Sequence, residues 1–128
     1  MGTFAIMTVS EMATVLAWHD ALNAADFDTL ESLSSEDIEI GDADGAAQGH
    51  AALRAWAQSL DEKIEPGRTY VHDGVVVVEQ QTVSVTGETG SAASAFRVVD
   101  DHVTSVFRHP DLATALAATE LTEADLTG

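Results

Sequence analysis

The chain contains no cysteine, which excludes a disulfide framework and thiolate chemistry and fits an intracellular setting. Lysine is almost missing too: Lys63 is the only one, and 5 basic residues stand against 22 acidic ones, for a formal net charge of -17. A field of that sign repels phosphate backbones and anionic lipid headgroups, so neither nucleic acid nor a membrane surface is an expected partner. No apolar run approaches the length needed to span a bilayer. Met1 to Ile6 lacks a basic n-region, and Ile6 stands where a myristoylation signal needs Ser or Thr, so neither export nor lipid anchoring is expected. These absences lead to the expectation of a cytoplasmic protein. Also missing are a phosphate-binding glycine loop, a G-x-S-x-G nucleophile elbow and an H-E-x-x-H metal motif, so no cofactor or metal is expected.

What is present is acid. An ordinary acidic protein would show it, and so would one adapted to a high-salt cytoplasm, where screening over a few ångströms removes self-repulsion and dispersed carboxylates keep the surface hydrated. The near absence of lysine beside a normal aliphatic content points to the second, halophilic reading. At 128 residues the chain fits one domain, 1–128, with a core of about 10–118 and peripheral ends at 1–7 and 119–128.

Thr8 with Glu11 fits a capping box, so a first helix is expected to begin near Ser10. Met12, Val15, Leu16, His19 and Leu22 fall at helical spacing, with Trp18 beside them. After the break at Asn23-Ala24-Ala25, Asp26 is placed to cap a short helix through Leu33. Asp37 to Asp42 alternates polar and apolar, which predicts a half-buried strand with Asp42 on the same side as Ile38 and Ile40. Asp44 to Gly49 reads as a loop into a third helix with Leu53, Trp56, Ala57 and Leu60 inside, closed by Pro66-Gly67. The second half reads as strands: Tyr70 to His72 and Val75 to Val85 around the hairpin signal Asp73-Gly74, then Ala92 to Val99 and His102 to Arg108 around Asp100-Asp101. Pro110 to Ala118 is expected to form a short helix, preceded by His109 as its cap, with Thr122 to Asp125 capping a final turn. Helices first, then a strand, a helix and a meander, describe an α+β domain in which a strongly curved sheet wraps the helices.

The run Ala21 to Leu30, then Ile38-Glu39-Ile40, then Gly49 to Trp56 and the closing meander resembles the nuclear transport factor 2-like superfamily, nearest its SnoaL-like branch. The likeness lies in order and spacing over about residues 10–118 rather than in any single motif. It implies a cystatin-like, cone-shaped α+β barrel with a pocket between the sheet and the first and third helices, commonly paired as a homodimer through the outer sheet face. It implies no one reaction, since the superfamily holds isomerases, cyclases, epoxide hydrolases, dehydratases and members without chemistry.

In the ketosteroid isomerase relatives an aspartate just after the first strand is the general base, and Asp42 aligns with it through the Asn23, Asp26 and Asp28 framework. An apolar cavity would suit Asp42 to proton abstraction; equally, Asp42-Ala43-Asp44-Gly45 can be a plain polar turn. The oxyanion donors of those relatives do not match, because Trp18 stands where a phenol is used and Ser94 where a protonated acid is used. Trp18 and Trp56 suit a pocket wall or a plain core, and Phe96 and Val98 share a strand face with Ser94 and would extend that wall. Tyr70 is a further wall candidate whose strand register the sequence leaves open. Arg108 faces the pocket if Val106 points inward, where it would pair with Asp42 or hold an anionic ligand, and faces outward if Val103 and Phe107 are inside. His19 is either an acid–base partner of Asp42 or a hydrogen-bonded core histidine. Two functions remain open. One is a noncatalytic protein that binds a small apolar ligand or serves as a dimeric module, and the other is a cofactor-free isomerase, cyclase or lyase using Asp42 on a hydrophobic carbonyl compound.

Overall fold

The computed structural model describes residues 3–42 and 44–126, with side chains from Glu11 onward. The first helix, α1 (Thr3–Asn23), starts well before Ser10 because no proline or glycine intervenes to stop it, and the Thr8 side chain of the expected capping box lies outside the described residues. Ala25, in the left-handed conformation at φ 56°, turns the chain into α2 (Phe27–Ser32). Asp26 caps α2 as expected, accepting from the Thr29 backbone N–H at 3.3 Å and from its hydroxyl at 2.7 Å. The lone lysine is used at the end of α1, where Lys63 Nζ donates to the Asn23 carbonyl at 2.8 Å and sets a positive charge on the helix C-terminus.

Among the described residues six strands form one sheet, ordered β2-β1-β6-β5-β4-β3. They are β1 (Ser34–Asp42), β2 (Gly45–Gln48), β3 (Glu62–His72), β4 (Val75–Ser84), β5 (Thr89–Val99) and β6 (His102–His109), with α3 (His50–Ser59) between β2 and β3. Only β1 and β6 run parallel; the other neighbours are antiparallel. Both expected hairpins form on left-handed residues, Asp73-Gly74 (φ 48° and 80°) and Asp100-Asp101 (φ 51° and 62°), as a two-residue turn of right-twisted strands requires.

Two expected connections are strands instead. The stretch read as a loop after Asp42 contains β2, which folds back on β1 so closely that a Cβ on Gly41 would meet Gly45 O and Phe107 Cε1, each at 2.8 Å. Pro66-Gly67 does not end a connection but sits inside β3, at a register shift between Pro66 and Thr69 where the missing proline N–H is tolerated. Further shifts, between Arg97 and Val98 and between Ser34 and Glu39, bend the sheet around the helices.

The inner face carries the main core: Val15, Trp18 and Leu22 of α1 and Leu53 of α3 pack on Ile38, Val76, Val78 and Phe96. Each fully buried aliphatic side chain there contributes about 1.5–3 kcal/mol relative to exposure. The outer face of β3 to β5 is covered too, since Tyr70, Val77 and Ala93 lie beneath Ala115 and Leu121. Burial on both faces explains the unbroken Val75 to Val78 run. The covering helix, α4 (Leu112–Thr119), is capped by Asp111, which accepts from Thr114 N–H at 2.8 Å, and not by His109, which ends β6. The expected final turn follows as a short 3₁₀ segment, Glu123–Asp125, with its Thr122 capping box in place.

Candidate functional site

Between the inner sheet face and helices α1 and α3 lies a cavity of about 350 Å³. Helical spacing sends Trp18 from α1 and Trp56 from α3 into it, and strand alternation adds Phe96 from β5 and Val106 from β6. Trp18 meets Phe96 edge to face at 5.3 Å between ring centroids and lies tilted against Trp56 at 5.9 Å, so three aromatic rings form a continuous apolar wall. The Trp18 indole N–H is not offered to a ligand, because it donates to Ser34 Oγ at 3.0 Å, which in turn donates to Leu30 O at 2.8 Å.

Beside these rings the lining turns polar. Gln80 of β4 and Ser94 of β5 are buried at 3% exposure, and Arg108 of β6 stands directly across from Ser94 in the strand pairing. Val106 points inward, so Arg108 shares the cavity face; Val103 is also buried, because the irregularity at Arg97/Val98 changes the alternation between the two valines. Arg108 pairs with Glu62 at 3.0 Å and not with Asp42.

Asp42 follows Ile38 and Ile40 onto the cavity side, but β1 outruns the apolar wall there. Its side chain is exposed at the rim, and Oδ1 accepts from the Asp44 backbone N–H at 2.8 Å, the bond of a polar turn. The desolvation that would suit it to proton abstraction is therefore missing. His19 lies behind the wall, fully buried, with Nδ1 2.8 Å from Val15 O and Nε2 2.9 Å from Gln80 Nε2. Desolvation lowers its pKa, against smaller raising effects of the Val15 hydrogen bond and the Asp20 charge, so the ring is neutral and structural in its contacts. Asp42 and His19 do not meet: the first is at the mouth and the second is sealed in the core.

Two of the expected wall residues are elsewhere. Tyr70 pairs with Val77 and belongs to the outer cluster, its hydroxyl donating to Glu123 Oε2 at 3.4 Å, because the irregular stretch from Pro66 to Thr69 leaves Thr69 and Val71 on the inner side. Val98 is on the inner face but is packed into the core, away from the cavity. Conversely, the sequence reading passed over Gln80 and Glu62. Period two places Gln80 on one face with Val76 and Val78, a buried amide that alternation could have flagged; Glu62 was hidden by taking Pro66-Gly67 as a connection. Among the described residues no group of three or more His, Cys, Asp or Glu is placed to hold a metal ion, and no helix is long and apolar enough to cross a membrane.

Solved structures share this architecture. A nuclear transport factor 2-like protein of unknown function from Cytophaga hutchinsonii superposes with a TM-score of 0.71 at 17% identity, covering 79% of this chain and 89% of its own. A candidate ketosteroid isomerase from Kribbella flavida gives 0.74 at 19% identity (82% and 81%), and an M. tuberculosis LEH-like epoxide hydrolase gives 0.72 at 17% identity (89% and 97%). At such identities the likeness shows the fold alone. No curated protein matches the chain significantly. The family model of the SnoaL-like domain matches residues 15–112, from the second half of α1 to the start of α4, which takes in both walls of the cavity, and the chain accordingly belongs to the SnoaL-like domain family.

Proposed function

We propose that this protein binds a small, largely apolar molecule carrying one polar group, without acid–base catalysis. The observation that carries the reading is the cavity itself: its size falls at the small end of ligand pockets, and its lining joins an aromatic wall to a short polar one. The aromatic wall supplies stacking surface and the polar wall fixes orientation. Against catalysis stand the exposed Asp42, held by the Asp44 N–H, and a His19 whose two ring nitrogens are both engaged. The homodimer and the high-salt cytoplasm suggested by resemblance and composition belong to the same proposal; sedimentation tests the dimer, and thermal unfolding at graded salt tests the salt adaptation.

The chain has two tryptophans, and both line the cavity, so intrinsic fluorescence reports its occupancy directly. Titration with small cyclic alcohols and ketones should give a saturable change in tryptophan emission. At a ligand concentration of 100 times Kd it should also stabilise the fold by about 2.7 kcal/mol. Absence of both responses across such a panel would overturn the reading.

A further inference from the structure

The polar wall has a direction, and it can be traced from its buried end. A carbonyl oxygen only accepts, so the contact between Val15 O and His19 Nδ1 at 2.8 Å places the imidazole proton on Nδ1. In the neutral ring Nε2 then carries a bare lone pair, and the Gln80 Nε2 at 2.9 Å must donate to it. That orients the amide so that Oε1 faces Ser94, whose hydroxyl donates to it at 2.9 Å. Ser94 has only one proton, and it is spent on this bond. Among the described residues no other hydrogen bond reaches Ser94 Oγ, so what the hydroxyl presents to the cavity is lone pairs.

Directly across the strand pair stands a donor. Arg108 lines the cavity as Ser94 does, and with Nη2 used on Glu62 its guanidinium keeps further N–H groups to donate. An acceptor beside a donor matches a group that both gives and takes a hydrogen bond. We propose that Ser94 and Arg108 together read a hydroxyl, the ligand O–H donating to Ser94 Oγ while its oxygen accepts from Arg108. A ketone oxygen would satisfy Arg108 but would set lone pairs against lone pairs at Ser94. A carboxylate would do the same and would also approach the Glu62 carboxylate that already neutralises Arg108. Gln80 and His19 are positioning residues, because they act only by fixing where the Ser94 proton points.

The inference rests on the proposed ligand-binding role and names the ligand class. Menthol and menthone, an alcohol and its ketone of the same carbon skeleton, are titrated by calorimetry and tryptophan fluorescence against the parent, Ser94→Ala and Gln80→Met. Menthol should bind the parent about tenfold more tightly than menthone, the size of one matched hydrogen bond over one mismatch. Ser94→Ala should weaken menthol by about that factor and leave menthone unchanged or tighter. Gln80→Met, which frees the Ser94 proton to donate, should shift the preference toward menthone, a reversal that mere loosening of the core would not produce. Parent affinity for menthone equal to or above that for menthol, or equal losses for both ligands in Ser94→Ala, would overturn the hydroxyl assignment. Binding of neither compound to the parent would count instead against the ligand-binding role on which it rests.

Discussion

Asn23 offers the sharpest test of what holds α1 at the angle the cavity needs. It is the last residue of α1, and its side chain treats Ile64 as a neighbouring strand would: Nδ2 donates to Ile64 O at 2.8 Å, and Oδ1 accepts from Ile64 N–H at 2.9 Å. Asn23→Ala removes both bonds at once. Each is worth about 1 kcal/mol net, and because Ile64 is only 3% exposed, its orphaned backbone groups add part of their desolvation penalty. The expected loss is about 2–4 kcal/mol. For 128 residues, unfolding entropy converts 1 kcal/mol to roughly 4 °C, so the thermal midpoint should fall by about 8–16 °C. Urea unfolding followed by tryptophan fluorescence measures the loss, with an unchanged m-value showing that the unfolded state is not the cause. Asn23→Asp keeps the acceptor, loses the donor and sets a carboxylate against the Ile64 carbonyl, so it should not restore parental stability. A loss below about 0.5 kcal/mol in Asn23→Ala would refute the idea that this side chain ties helix to sheet.

The remaining predictions concern charge. Burial holds the His19 pKa below its ordinary 6.5, so the unfolded chain takes up more protons as pH drops past that value: this contribution to stability is complete above pH 6.5 and declines below it. His19→Gln should flatten the fall of the thermal midpoint between about pH 7 and 5, and an equally steep fall in the variant would remove His19 from the acid response. Asp42→Asn keeps an acceptor for Asp44 N–H on an exposed side chain, so stability should change by less than about 0.5 kcal/mol and menthol affinity should not move. A general base at that position would instead reveal itself as a roughly 100-fold loss in any turnover detected. With a net charge of -17, the thermal midpoint should rise as NaCl increases from about 0.1 to 1 M, where the screening length shrinks from about 10 to 3 Å; a flat or falling midpoint would sink the high-salt reading.

Local pattern was enough for much of this molecule. Asp26 as a cap, Asp73-Gly74 and Asp100-Asp101 as hairpins, and Thr122 as the last capping box all appear where their chemistry predicts. Each depends on neighbours within a few residues, which is the range a single sequence displays. The order of helices and strands likewise led to the family and to the two tryptophans that line the cavity.

The site needed more. Whether Tyr70 faced the cavity or α4 depended on an irregularity several residues upstream, and whether Arg108 pointed inward depended on β6 having its own register against β5. Alternation correctly sent Asp42 to the cavity side, yet not how far the apolar wall extended beneath it. The partners Glu62 and Gln80 lie 46 and 61 residues from the Arg108 and His19 they bond. Periodicity settles which way a side chain points relative to its own backbone; bulges, the ends of neighbouring strands and hydrogen bonds between distant residues settle what it meets there, and those exist only once the sheet has closed around the helices.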